Sequence, residues 1–298
     1  MKSEAWPSLP LEEWRETYDT LHMWTQIVGK IRMAFSPLIN HWWETALYVT
    51  PRGLTTSFIP YGQRCFEIQF DFIDHQLLVQ TSEGATRSLP LVSKSVATFY
   101  REIMELLRSL DIEIKIDPLP QEFPDPIPFD QDEKHATYQK DYAERHWRIL
   151  IQANRLMNAF RGRFIGKCSP VHFFWGSFDL TVSRFSGRLA PARPEADRVT
   201  QEAYSHEVSS CGFWPGSGNI EGPAFYAYFA PEPEGYKTSP KILAPAFYNP
   251  PTQGYVLMYE KVRKSQDPER LVMDFFRHTY EAGADLGKWD RASLERKT

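Results

Sequence analysis

The chain lies over itself when Trp14 is placed on Trp147, and this self-match constrains what it can fold into. Without a gap, Arg15 then meets Arg148, Gly29 meets Gly162, Ser36-Pro37 meets Ser169-Pro170, and Trp42 meets Trp175. Lys30 falls on Arg163, while Trp24, Ile27 and Ile31 fall on Met157, Phe160 and Phe164. Tryptophan is rare, so two coincidences of this residue weigh heavily. A self-match of this kind predicts one supersecondary unit made twice.

The order of elements agrees with that expectation. Residues 11–33 read as a helix, with Trp14, Tyr18, Leu21, Trp24 and Val28 at spacings of three and four. Residues 143–165 repeat the pattern through Leu150, Met157, Phe160 and Phe164. A proline biases the residue before it away from helical angles, so each helix is expected to stop near its Ser-Pro pair. Strands are predicted next, at Trp42–Thr50 and Phe173–Ser183, then at Cys65–Ile73, Leu77–Thr81, Ala224–Phe229 and Tyr255–Tyr259. Phe66, Ile68 and Phe70 alternate with Glu67, Gln69 and Asp71, the period of two of a sheet buried on one face.

Each half closes on an amphipathic helix. Val96, Phe99, Ile103, Leu106 and Leu110 form one stripe; Asp267 and Pro268 start the other, which buries Leu271, Val272, Phe275, Phe276 and Tyr280. Strands follow one another without intervening helices, which favours an α+β fold. The expected architecture is two related helix–(three to four antiparallel strands)–helix halves packed as one compact unit. Residues 1–117 form the first half, 118–142 a Pro-rich connector, and 143–298 the second half with longer loops. Pro118, Pro120, Pro124, Pro126 and Pro128 make the connector stiff and extended. Residues 186–198, 209–223 and 230–252 read as loops, where function tends to sit.

Net charge is −4, and no basic face is evident, which argues against a nucleic-acid partner. No apolar run is long enough for a membrane span. The start, Met1-Lys2-Ser3-Glu4-Ala5-Trp6-Pro7, lacks the apolar run of a signal peptide, and Cys65, Cys168 and Cys211 lie far apart. A cytoplasmic protein with reduced thiols is the expectation. Aromatic residues make up 14% of the chain, which suits either an aromatic core or a ring-lined cleft.

No high-specificity catalytic motif is present: G-x-x-x-x-G-K-[ST], G-x-G-x-x-G, H-E-x-x-H and G-x-S-x-G are all missing. The densest chemistry lies in 204–216, where His206 and Glu207 precede Ser209, Ser210 and Cys211. In a strand, His206 and Glu207 point to opposite faces and cannot share one ion. If the halves meet about a two-fold axis, His41, Glu44, His172 and Asp179 share a cleft walled by Trp42, Trp43, Phe174 and Trp175. A metal reading would draw on His41, His172 and His206 with Glu44, Glu207 or Asp179. These have no fixed ligand spacing, so no metal is expected and no cofactor is named. Arg52 and Arg184 each follow one of the matched strands, and an arginine fork suits a carboxylate or phosphate.

The strings Trp24-Thr25-Gln26-Ile27-Val28-Gly29-Lys30, Asn40-His41-Trp42-Trp43, Gly53-Leu54-Thr55-Thr56, Ser169-Pro170-Val171-His172-Phe173-Phe174-Trp175-Gly176-Ser177-Phe178-Asp179 and Tyr204-Ser205-His206-Glu207 resemble the bacterial family of unknown function DUF5996. The likeness runs from about Trp6 to Trp289. It implies a bacterial, single-unit protein and carries over no activity and no catalytic residue.

The favoured expectation is a small-molecule-binding protein or an enzyme, with a histidine in an aromatic cleft between the halves. His172, His206 and Glu207 are the catalytic candidates; His41, Trp42, Trp43, Arg52, Trp175, Asp179, Arg184 and Trp214 are the ligand-binding ones. The partner would be a small polar or anionic molecule. A non-catalytic structural or interaction protein, and a metal-dependent hydrolase with His ligands, are the alternatives. Ligand, reaction and oligomeric state stay open.

Overall fold

The computed structural model describes residues 4–297, so Met1, Lys2 and Ser3 of the polar start lie outside the described residues. Helix α1, Leu11–Phe35, follows Pro10 and carries Glu12 and Glu13 in its first turn and Arg32 in its last, matching the helix dipole. From Thr17 to Arg32 almost every residue is buried, so the helix is central rather than one-sided. Its polar residues are partnered inside: Thr20 Oγ1 donates to Glu16 O, Thr25 Oγ1 to His22 O, and His22 Nε2 approaches Trp175 O at 3.0 Å and Gly176 O at 2.8 Å. Such partners offset the cost of placing polar groups in a core.

The first sheet holds β1 (Tyr48–Val49), β2 (Gly53–Thr55), β3 (Ile59–Tyr61), β4 (Arg64–Asp71), β5 (Gln76–Thr81) and β6 (Thr86–Pro90). They pair in the order β1-β2-β4-β5-β6, with β3 also on β4, and every pairing is antiparallel. Phe66, Ile68 and Phe70 of β4 are buried, as their alternation predicts. Helix α2, Val96–Arg108, closes this part, with the Ser95 side chain accepting from Thr98 N.

After helix α3 (Lys140–Arg161) comes a second antiparallel sheet of β7 (His172–Phe174), β8 (Asp179–Leu189), β9 (His206–Trp214), β10 (Ala224–Ala230), β11 (Phe247–Asn249) and β12 (Gly254–Met258). The order is β11-β12-β10-β9-β8-β7. Short helix α4, Arg198–Ala203, lies between β8 and β9, and α5 (Tyr259–Arg263), α6 (Pro268–Leu286) and α7 (Arg291–Leu294) complete the chain. Helices with two antiparallel sheets make an α+β fold, and each sheet has six strands where three or four were expected. Short β1, β3, β7 and β11, of two or three residues, offer too little alternation to be read as strands in advance.

Three expectations change. The strand predicted at Trp42–Thr50 is instead a 3-10 segment, Asn40–Thr45, with only Tyr48–Val49 extended. His41 (φ 60) and Trp42 (φ 59) are left-handed there, and the Glu44 carboxylate accepts from Ile39 N, so side chains do not alternate. The strand predicted at Phe173–Ser183 is broken by a turn at 175–178 with Phe178 left-handed (φ 58), giving the β7–β8 hairpin. Residues 209–214 of the expected loop 209–223 belong to β9, and β8 runs on through Leu189 of the loop expected at 186–198.

One apolar core spans both sheets. Leu47 and Phe173 exchange two backbone hydrogen bonds of 2.8 Å each; Trp147 Nε1 donates to Thr50 O and Trp175 Nε1 to Thr45 O. The proline-rich segment is fastened to α1: Gln26 Nε2 donates to Gln121 O at 2.8 Å and Gln121 N donates to Gln26 Oε1 at 2.8 Å. Buried Lys30 reaches Leu119 O and Asp117 O from the same helix. Replacing Gln26 by Ala together with Lys30 by Met is expected to cost about 2 kcal/mol or more, since bonds from a charged donor are among the stronger ones. Limited proteolysis of the double variant should show new cleavage within 118–130, and urea midpoints should report the loss.

Candidate functional site

The register of β8, β9 and β10 sorts their side chains into two faces. Leu180, Phe213 and Phe225 form one row and Val182, Cys211 and Ala227 the next, all buried on the helix-covered side. The opposite face carries the rows Thr181–Gly212–Tyr226, Ser183–Ser210–Tyr228 and Phe185–Val208–Ala230, with Asp179 at one end and His206 at the other. An antiparallel sheet normally gives such a face to water. Here Ser210 is 3%, Thr181 6% and Asp179 8% exposed, and at the Phe185–Val208–Ala230 end Trp43 and Tyr204 pack over the face.

Under that cover the polar side chains pair with each other. The Asp179 carboxylate accepts from Tyr226 Oη and Ser177 Oγ; Ser183 Oγ and Ser210 Oγ lie 2.6 Å apart; Tyr204 Oη and Tyr228 Oη lie 3.0 Å apart. Gly212 is required where Tyr226 crosses the sheet, since a Cβ there would overlap the phenol ring and Leu180 O. Burial raises the Asp179 carboxyl above its ordinary value, with Ser177 and Tyr226 pulling the other way, and burial pushes the Tyr226 and Tyr228 hydroxyls well up. Both phenols therefore stay protonated and available as donors at neutral pH.

At the His206 end, His41 stacks on Phe185 at 4.6 Å and meets the His206 ring edge-on at 5.8 Å. His41 Nδ1 lies 3.0 Å from Glu202 O and 3.2 Å from Ala203 O, so it carries the proton and donates to these carbonyls. That leaves the Nε2 lone pair facing Lys167 Nζ at 2.6 Å. The Lys167 ammonium also sits over the Phe185 ring at 5.1 Å and the Trp43 ring at 5.6 Å. Burial, then Lys167, holds the His41 imidazole below its ordinary value; burial lowers the Lys167 amine as well.

His172 flanks this face, paired in register with Thr181 and ringed by Trp43, Tyr48 and Phe174 at 5.4–5.6 Å. It is 1% exposed and neither ring nitrogen has a partner. Burial, helped by Arg32 and Arg161, lowers its pKa to about 3, so it is neutral at pH 7.

The other sequence candidates disperse. His206 faces His41, whereas Glu207 points away to Arg188 and Ser186. Glu207 lines a separate cavity of about 150 Å³ with Glu232, Glu234, Leu286 and Trp289. Arg52 pairs with Asp71 and Asp74 on the first sheet, and Arg184 lies on the core face over Phe160 and Tyr280, donating to Phe160 O. Trp175 packs on Gly29 and holds Thr45; Trp42 lies under Arg198; Trp214 packs with Ile220 and Met258. Among the described residues no three His, Cys, Asp or Glu side chains are grouped to hold a metal ion, and no helix is long and apolar enough to cross a membrane.

Tyr204 and Ser210 lie in the chemistry-dense segment 204–216, whereas Lys167, Tyr226, Tyr228 and Ser183 were not singled out from sequence. Their one signal is polar spacing of two, as in Asp179-x-Thr181-x-Ser183 and Tyr226-x-Tyr228. No curated protein and no solved structure matches the chain. Its family model does match, over residues 6–296, so the chain belongs to DUF5996, a family described as being of unknown function.

Proposed function

We propose that the chain binds a small anionic molecule on the hydroxyl-bearing face of the second sheet, beneath Trp43 and Tyr204. The observation that carries this reading is the row of paired side chains, Ser183–Ser210 and Tyr204–Tyr228, running to the Lys167–His41 pair. A covered face needs only apolar side chains to pack, and each buried hydroxyl must be matched to stay neutral in energy. Preset donors beside aromatic walls are what a small-molecule site requires. Ser183 lies two residues before Phe185, roughly 7 Å along the strand, and the Lys167 ammonium sits over the Phe185 ring. The Lys167 ammonium lies against His41, which favours an anion.

Purified protein screened by thermal shift against small carboxylates, phosphates and sugar acids tests this. A ligand at 100 times its Kd adds about 2.7 kcal/mol of stability. Tyr228→Phe should then weaken the hit about tenfold, the worth of one hydrogen bond. A panel without any shift would overturn the reading and turn attention to protein partners.

A further inference from the structure

We infer that the Lys167 amine forms an imine with a small carbonyl compound that also carries an anionic group, with His41 moving the protons. The inference rests on the anion site proposed above and names its chemistry.

Among the described residues, the lysines paired with carboxylates are Lys30, Lys94, Lys241 and Lys264. Lys167 is instead bonded to an imidazole lone pair, between two aromatic rings. A lysine without a counter-carboxylate and against an apolar wall gives up its proton more easily, which is how lysine nucleophiles are activated. The geometry also supplies a proton acceptor. His41 Nδ1–H stays bonded to Glu202 O and Ala203 O, and these carbonyls steady the imidazolium when Nε2 takes a proton.

The step balances without a further reagent. The ammonium first releases one proton to solvent; its lone pair then attacks the carbonyl carbon, a C–N bond forms, and the C=O π pair moves to oxygen. One N–H proton passes to His41 Nε2 and is returned to that oxygen, giving a carbinolamine. Loss of the hydroxyl with the second N–H proton releases water and leaves C=N. The anionic group lies toward His206, whose ring meets that of His41 edge-on at 5.8 Å.

Glyoxylate with sodium cyanoborohydride, applied to the full chain at neutral pH, traps such an imine as a stable adduct that peptide mass spectrometry locates. Both lysines are exposed, and Lys167, set against His41, should be labelled ahead of Lys264, which is ion-paired to Glu260. His41→Asn should slow labelling of Lys167 about 100-fold, the lower end of what general acid–base catalysis contributes. Asparagine tolerates the left-handed backbone at position 41, and an unchanged melting curve verifies the fold. Equal labelling of Lys167 and Lys264, or a His41→Asn rate equal to the parent's, overturns the inference. Oxalate separates the two levels, because it is an anion that forms no imine here. Stabilisation by oxalate without Lys167 labelling overturns the imine alone, and absence of both removes the binding site too.

Discussion

Replacing Gly29 by Val should destabilise the protein by about 3 kcal/mol or more, while Gly162→Ala should cost almost nothing. The two glycines coincide when the chain is laid over itself, yet their surroundings differ. A Cβ on Gly29 would overlap Cδ1 and Nε1 of the Trp175 indole. Trp175 cannot yield without breaking its 2.8 Å bond to Thr45 O, next to the Leu47–Phe173 bridge that joins the two sheets. A Cβ on Gly162 would meet only Asn158 O at 3.4 Å and Ala159 O at 3.6 Å, at an exposed helix end with ordinary α dihedrals. At roughly 2–4 °C per kcal/mol for a chain of this order of size, Gly29→Val should lower Tm by about 6–12 °C. Equal melting of the two variants would show that the indole does not hold this junction.

Mild acid should unfold the protein. His22, His146 and His172 are all buried, and burial lowers their pKa values to about 4, 3 and 3. The unfolded chain takes these protons near pH 6.5, whereas the folded chain does so only well below pH 5. The stability they contribute is thus fully present above about pH 6.5 and lost as pH falls toward 4. Each histidine supplies a slope of about 1.4 kcal/mol per pH unit, so three give roughly 4. Asp179, raised by burial, binds its proton earlier in the folded state and offsets part of this. Asp71 and Asp132 are held below the ordinary carboxylate range and matter only at lower pH. Going from pH 6.5 to 5 should therefore cost about 5 kcal/mol, comparable with a whole folding free energy. Urea unfolding at stepped pH measures the slope. His146→Phe, in a site already lined by Trp14, Phe178 and Phe213, should reduce it by about 1.4 kcal/mol per unit; an unchanged slope would refute the assignment of that proton.

The helices were legible because periodicity is a local property. Leu11–Phe35, Val96–Arg108, Lys140–Arg161 and Pro268–Leu286 all fall on predicted helices. Asn40–Thr45 was not legible, because His41 and Trp42 take left-handed angles among contacts to Glu202 and Ala203, far along the chain. The site was legible only in fragments. His41 and His206 stood out as chemistry-bearing residues, but Ser183 and Ser210 acquire meaning only once β8 and β9 are in register. Lys167 looked like any surface lysine until His41, 126 positions earlier, was placed against it.

The bracing of residues 119–121 against α1 also limits how the two sheets can move. A proline-rich stretch that swung freely would let one sheet move against the other. Gln26 and Lys30 forbid that, and the Leu47–Phe173 bridge locks the sheets a second time. Outside that brace lie the 3-10 segment, whose Trp43 packs on Phe185, and α4, which the segment grips through the His41 ring. Under the binding proposed above, entry would be a loop-scale event, on the nanosecond-to-microsecond scale of such motions rather than that of a domain hinge. The His41 ring that meets Lys167 is in this way also what ties the 3-10 segment to α4.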